Sequence, residues 1–265
     1  MLVPRLRASL RGLAIVAAAV SPFAVAGQAQ AIPVGLELSL LIDVSGSVDT
    51  TEYNLQKNGY VQAFRSAAVQ NAILSSVGGS IAVNFIQWSG AGQATQSIGY
   101  TLINSVASAN AFATQISNVS RAFSGNTAPG NALAFAAPLF ASNNFEAPRQ
   151  VIDVSGDGAA NEGINTAAAR NAALASGVDT INGLVILGEA GVQSFYQNSI
   201  VGGGGFLQVA NSFNDFATAI RQKLVREITP VPVPEPASLA IFGVGLAAVG
   251  LIRRRRSAGA PSAQA

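Results

Sequence analysis

Two stretches, "IDVSGS" (Ile42–Ser47) and "IDVSGD" (Ile152–Asp157), nearly repeat each other, and each follows an apolar run. In the first, Asp43, Ser45 and Ser47 alternate. While a chain stays extended, alternate side chains point the same way, so one carboxylate and two hydroxyls can face a single point. Such a set suits a hard cation such as Mg²⁺. Thr127, inside the glycine- and proline-broken segment "FSGNTAPGNAL" (Phe123–Leu133), can add a hydroxyl, and Asp157 a second carboxylate. Two carboxylates roughly neutralise a divalent ion, and waters complete the six oxygens that Mg²⁺ prefers. If one water gives way to a carboxylate from another molecule, the metal becomes a bridge for binding rather than a catalyst. Taken alone, "DVSGS" reads equally as a strand-to-helix turn capped by Ser47 or Asp49. The ordered set with Thr127 and Asp157 favours the metal.

Other chemistries lack their residues. The chain has no cysteine and no histidine, so a Ser-His-Asp triad, a cysteine nucleophile and an ordinary His/Cys zinc site are impossible. Asp43 and Asp157 could serve hydrolysis, but no evident general base or nucleophile accompanies them. A phosphohydrolase using Asp43 as nucleophile usually wants a second acid two residues on, where Ser45 stands. The run Gly202–Gly205 is followed by neither a helix start nor a lysine, so it reads as a loop rather than a phosphate cradle. The expectation is a binding protein, not an enzyme. A matrix protein whose site binds nothing is the alternative.

The elements that must position these residues follow from pattern. "GLELSLLIDV" (Gly35–Val44) has the length and density of a strand buried on both faces. Asp49 and Glu52 then form a capping box, and Tyr53, Tyr60, Val61 and Phe64 share one helical face. "SIAVNFIQW" (Ser80–Trp88) and "SIGYTLI" (Ser97–Ile103) read as strands joined by a link short enough to make them antiparallel. A helix through Phe112, Ile116 and Val119 and another reaching Phe140 flank the broken segment. "QVIDVSGDG" (Gln150–Gly158), "TINGLVILG" (Thr180–Gly188) and "GGGGFLQVA" (Gly202–Ala210) supply three more strands. "INTAAARNAALASG" (Ile164–Gly177) and Ser212–Ile228 supply helices. In the last, Phe213, Phe216, Ile220 and Leu224 line the apolar face, and Lys223 and Arg226 fall near the C-terminal dipole. The expected fold is α/β: a doubly wound, mostly parallel six-stranded sheet with one antiparallel edge strand. Such sheets bind ligands beyond the carboxyl ends of strands, where strand order reverses. Both near-repeats lie at such ends.

Both chain ends read as addresses. Arg5, Arg7 and Arg11 precede the apolar run Leu13–Val20 and small residues at Ala29 and Ala31, the pattern of a secretory signal peptide over residues 1–31. "AVA" at Ala24–Ala26 is an alternative cleavage point. Residues 34–228 form the expected domain, followed by the stiff proline-rich linker 229–236. Then come an uncharged stretch at 237–252, the cluster Arg253–Arg256 and a tail, 257–265. The uncharged stretch is a short membrane segment, and the arginines hold its far end on the cytoplasmic side. Without the seven arginines of the two ends, eight basic residues face thirteen acids, and the body carries −5. That balance leaves little material for the basic face a nucleic-acid partner needs.

The order D-x-S-x-S, then threonine in a glycine-containing loop, then Asp-Gly after a strand resembles the von Willebrand factor A domain. Its metal-ion-dependent adhesion site is matched by Asp43, Ser45, Ser47, Thr127 and Asp157. The resemblance implies bound Mg²⁺ or Mn²⁺ and an acidic protein or polysaccharide ligand. "DVSGSV", "QWSG", "VIDVSGDG", "TINGLVIL" and "KLVREI" resemble an uncharacterised bacterial branch of that fold, in which an acid often stands at the position of Asn131. Asp153 copies Asp43 within the near-repeat and reads either as an acceptor behind the metal ligands or as a buried paired acid. "VPEPASLAIFGVGLAAVGLIRRRR" resembles the PEP-CTERM sorting tail of Gram-negative bacteria, here over residues 234–256. It implies an exosortase-type processing enzyme, transient membrane anchoring and release to the cell surface or an exopolysaccharide matrix.

Overall fold

The structure, a computed structural model, describes residues 30–229. All but the last two residues of the expected signal peptide lie outside the described residues. So do nearly all of the linker, the sorting segment with its apolar stretch, and the tail. Among the described residues no helix is long and apolar enough to cross a membrane.

In chain order the elements are β1 (Ile32–Pro33), β2 (Glu37–Asp43), α1 (Thr50–Arg65), α2 (Ala67–Leu74), β3 (Ile81–Trp88), β4 (Ala94–Ile103), α3 (Val106–Asn118) and α4 (Pro129–Ala136). They continue with β5 (Phe145–Glu146), β6 (Gln150–Gly156), α5 (Thr166–Ala175), β7 (Thr180–Ile186), α6 (Val192–Phe195), β8 (Leu207–Ala210) and α7 (Phe216–Ile228). Six strands form the main sheet in the order β4-β3-β2-β6-β7-β8, parallel throughout except for the antiparallel β3–β4 pair. This is the expected α/β architecture. From β2 the chain steps to β3 on one side and later returns to β6 on the other, so strand order reverses between β2 and β6. The crevice rule therefore selects the carboxyl ends of those two strands, which carry Asp43 and the approach to Asp157.

Every residue of β2 is buried, because helices cover both faces of the sheet. Leu38, Leu40 and Ile42 pack with residues of α1, α3 and α7, while Leu41 joins Ile86, Trp88, Ile152, Val154 and residues of α4 and α5 on the opposite face. The capping box at α1 is complete: Asp49 accepts the Glu52 N–H and Glu52 accepts the Asp49 N–H, both at 2.8 Å. The helix expected to reach Phe140 stops at Ala136 and tightens into a 3₁₀ turn over Ala137–Ser142. Pro138 has no N–H to continue an α-helix.

The pattern gave no signal for three features. Ser66 ends α1 and caps α2, its hydroxyl accepting the Val69 N–H. The two-residue strands β1 and β5 pair in parallel, and a π-helical turn spans Tyr196–Ile200 after α6. Lys223, expected near the C-terminal dipole of the last helix, is in addition fully buried, 2.5 Å from Asp153 on β6 and 2.5 Å from Glu227 one turn on. Residues 216, 220, 223, 224 and 227 share one face of α7, and that face lies against the sheet. Only paired acids make burial of an ammonium tolerable.

Candidate metal centre

Four of the five expected ligands are joined by hydrogen bonds at the β2/β6 crevice. Asp43 is the last residue of β2 and fully buried; its Oδ1 accepts the Ser45 N–H at 2.7 Å. Ser45 and Ser47 share a hydroxyl–hydroxyl bond of 3.0 Å, and the Ser47 hydroxyl donates to Asp157 Oδ1 at 2.8 Å. Residues 110 apart in sequence thus meet, because β2 and β6 are neighbours in register, Ile42 beside Ser155.

Thr127 approaches from the loop before α4. Its N–H donates to Asn161 Oδ1 at 2.8 Å, and its carbonyl accepts the Asn161 N–H at 3.0 Å. A side chain added at Gly158, next to Asp157, would begin 3.8 Å from the Thr127 hydroxyl. Among the described residues no hydrogen bond links that hydroxyl to the other four. Asn131, the departure from the resemblance, accepts the Ile164 N–H at 2.9 Å and so braces the loop that follows Asp157. Asp153 lies elsewhere, in the buried ion cluster with Lys223.

Several residues that hold the site carried no motif. Arg121 reaches the carbonyls of Val44, Ser45 and Val48 at 3.0, 2.7 and 2.6 Å, and so fixes the backbone of the "DVSGS" turn. Its one sequence signal is to be an isolated cation in a body with eight. Ser89 takes the Gly125 N–H and donates to the Asn126 carbonyl, stitching the turn after β3 to the Thr127 loop. The Gly46 N–H donates to the Gly125 carbonyl at 2.7 Å. Tyr196, on the π-helical turn, is fully buried with its hydroxyl unpartnered. A Cβ at Gly156 would strike that hydroxyl and would stand 2.7 Å from Asp43 Oδ2. Glycine is therefore the residue that lets all three meet.

The electrostatics fit a cation. Asp43 Oδ2 is buried without a hydrogen-bond partner, an arrangement that is costly for an ionised carboxylate. Burial chiefly, opposed by bonds from Ser45 and reinforced by the charge of Asp157, pushes the Asp43 carboxyl up to about 7. Asp157 is pushed up as well, by burial first, with the charges of Glu52 and Glu189 adding to it against the Ser47 bond. A divalent ion would offset both effects. Among the described residues no group of three or more His, Cys, Asp or Glu is gathered for a metal. The candidate set has only two acids and relies on hydroxyls, which suits a hard, water-retaining ion.

Comparison with known proteins adds the following. The family described as "Protein of unknown function (DUF1194)" matches residues 33–232, and the PEP-CTERM protein-sorting motif matches residues 232–256. That motif marks a chain for export, membrane-associated sorting and processing by an exosortase-type enzyme. Among curated proteins, none matches. Among solved structures, the chain is similar to proximal thread matrix protein 1 from the mussel byssus, in a form with a zinc-occupied MIDAS motif, at 17% identity and a TM-score of 0.56. That match covers 75% of this chain and 49% of the other. A von Willebrand factor type A protein from Catenulispora acidiphila is similar at 15% identity and a TM-score of 0.52, covering 74% and 43%. The pilus adhesin SpaC from Lactobacillus rhamnosus GG is similar at 14% identity and a TM-score of 0.55, covering 75% and 31%. The chain spans less than half the length of each. These likenesses establish a von Willebrand factor A-like fold.

Proposed function

From a chain that belongs to the DUF1194 family and has a von Willebrand factor A-like fold and a PEP-CTERM sorting motif, we propose an exported, metal-dependent binding protein. Asp43, Ser45, Ser47, Thr127 and Asp157 hold Mg²⁺ or Mn²⁺ directly or through water. The ion takes an acidic group of a protein or glycan at the cell surface or in the exopolysaccharide matrix. When bound, the metal supplies a coordination position for that group and no bond is made or broken. The observation that carries this reading is the fully buried Asp43 oxygen without a partner, at the head of the chain of side chains running to Asp157. Neighbours named as a matrix protein and a pilus adhesin support the adhesive role. The same reading divides the chain into signal peptide 1–31, domain 34–228, linker 229–236 and sorting segment 234–256.

The test is thermal unfolding of the full chain with and without Mg²⁺ or Mn²⁺, beside calorimetric titration. A ligand at a hundred times its Kd stabilises by about 2.7 kcal/mol, several degrees for a domain of this size. Asp43→Ala is expected to abolish the metal shift; because it also deprives the Ser45 N–H of its acceptor, the shift is read against the variant's own metal-free midpoint. A wild type that takes up no metal would overturn the proposal.

A further inference from the structure

The candidate metal site opens into a groove of about 640 Å³ whose lining includes Ser47 and Asp157, so the two form one continuous surface. That volume falls within the roughly 300–1,000 Å³ typical of ligand pockets. Its apolar lining is Leu55 of α1, Leu187 after β7 and Phe213 after β8. Its charged lining is acidic: besides Asp157 it holds Glu52 and Glu189, and among the described residues no basic side chain lines it. Glu52 gives one oxygen to the N–H of Asp49, and Glu189 gives one to the N–H of Ala159 at 3.1 Å. Those bonds fix both carboxylates in place without neutralising them. Lys57, the nearest cation in sequence, is turned to the Val119 carbonyl and the Tyr53 ring.

Charge balance then restricts the ligand. A divalent ion offsets Asp43 and Asp157, and the ligand's own acidic group adds a further negative charge beside Glu52 and Glu189. A uniformly acidic polymer would set like charges against them, and such juxtaposition disfavours binding. A basic side chain next to the acidic one would meet them with opposite charge, and an apolar neighbour would cover Leu55, Leu187 and Phe213. Resting on the metal reading above, we propose that the groove takes a protein segment in which an acidic residue is flanked by lysine or arginine and by an apolar side chain. A polyuronate chain would be excluded.

The test uses the full chain in Mg²⁺ and four probes in a surface-binding assay. Three are synthetic peptides alike except that one glutamate, next to a leucine, is flanked by lysine, by glutamine or by glutamate. The fourth is polygalacturonate. The lysine-flanked peptide is expected to bind about tenfold tighter than the glutamine-flanked one, the scale of one charged hydrogen bond, and polygalacturonate not to bind. In the double variant Glu52→Gln, Glu189→Gln the lysine advantage should vanish while the glutamine-flanked peptide still binds. Glutamine keeps an acceptor oxygen for both backbone N–H groups, so the fold survives. Equal, metal-dependent binding of all peptides, a lysine advantage that survives the double variant, or tight polygalacturonate binding would overturn this inference and leave the metal reading standing. No binding of any probe, with no heat on Mg²⁺ titration, would overturn both.

Discussion

At the residue scale, the site depends on backbone held still by side chains remote in sequence. Arg121 makes three carbonyls of the "DVSGS" turn converge on one guanidinium and gives its Nε–H to the Phe123 carbonyl. A planar fork can do this and a lysine cannot. Arg121→Met is expected to speed amide exchange at Gly46 and Val48 and to lower stability by about 1–3 kcal/mol. Arg121→Lys should not restore either. Wild-type exchange rates in the methionine variant would show that Arg121 does not hold the turn. Asp43, Ser45 and Ser47 stand out in the sequence by their alternation, but β2 ends at Asp43 and Ser45–Ser47 lie in a turn, so the turn rather than an extended backbone brings their oxygens together. Arg121 was not legible, because it lies 73 to 77 residues from its partners and no local pattern encodes so long a closure.

At the element scale, α7 carries a charge cluster into the core. Lys223 lies between Asp153 and Glu227, and Asn182 donates to Glu227 at 2.7 Å. Burial first, then the charge of Asp153, pushes the Glu227 carboxyl up to about 7, against about 4.3 for an ordinary glutamate. Between those values the folded protein keeps a proton that the unfolded chain has lost. Stability therefore falls as pH rises from about 4.3 to about 7 and levels off above. Asp43, also raised to about 7, has the same sign, so the measurement belongs in an Asp43→Asn background with chelator. There Glu227→Gln is expected to reduce, though not abolish, a fall of roughly 1–3 kcal/mol in urea-unfolding free energy between about pH 4.5 and 8, because burial also raises Asp153 and Asp157. An unchanged slope would place the titration elsewhere. The burial of Lys223 and Glu227 was not legible in the sequence, since it depends on the strand packed beneath the helix.

At the scale of the whole molecule, the sheet brings chain segments into one crevice, and the sorting motif implies export and membrane-associated sorting of the chain that carries it. With no cysteine available, two apolar cores on opposite faces of the sheet hold the described residues together. Deleting residues 232–256 is expected to leave the metal-dependent unfolding midpoint unchanged. It should also abolish the shortened surface form, lacking Arg253–Arg256, that intact-mass spectrometry would find for the full chain. A shortened form from the deletion variant would separate processing from the motif. The succession of strands and helices and the capping box at Asp49 were legible in the sequence, because each rests on local periodicity or residue spacing; the order of the strands within the sheet was not. The tertiary structure alone decided that Asp157 meets Ser47 while Asp153 turns to Lys223. Asp153 lies within β6, beneath Lys223 of α7, whereas Asp157 lies just past the end of that strand, beside the β2 crevice, and only that placement tells the two acids apart. The acidic groove was likewise decided by the fold, since Glu52 and Glu189 come together only where α1 meets the loop after β7.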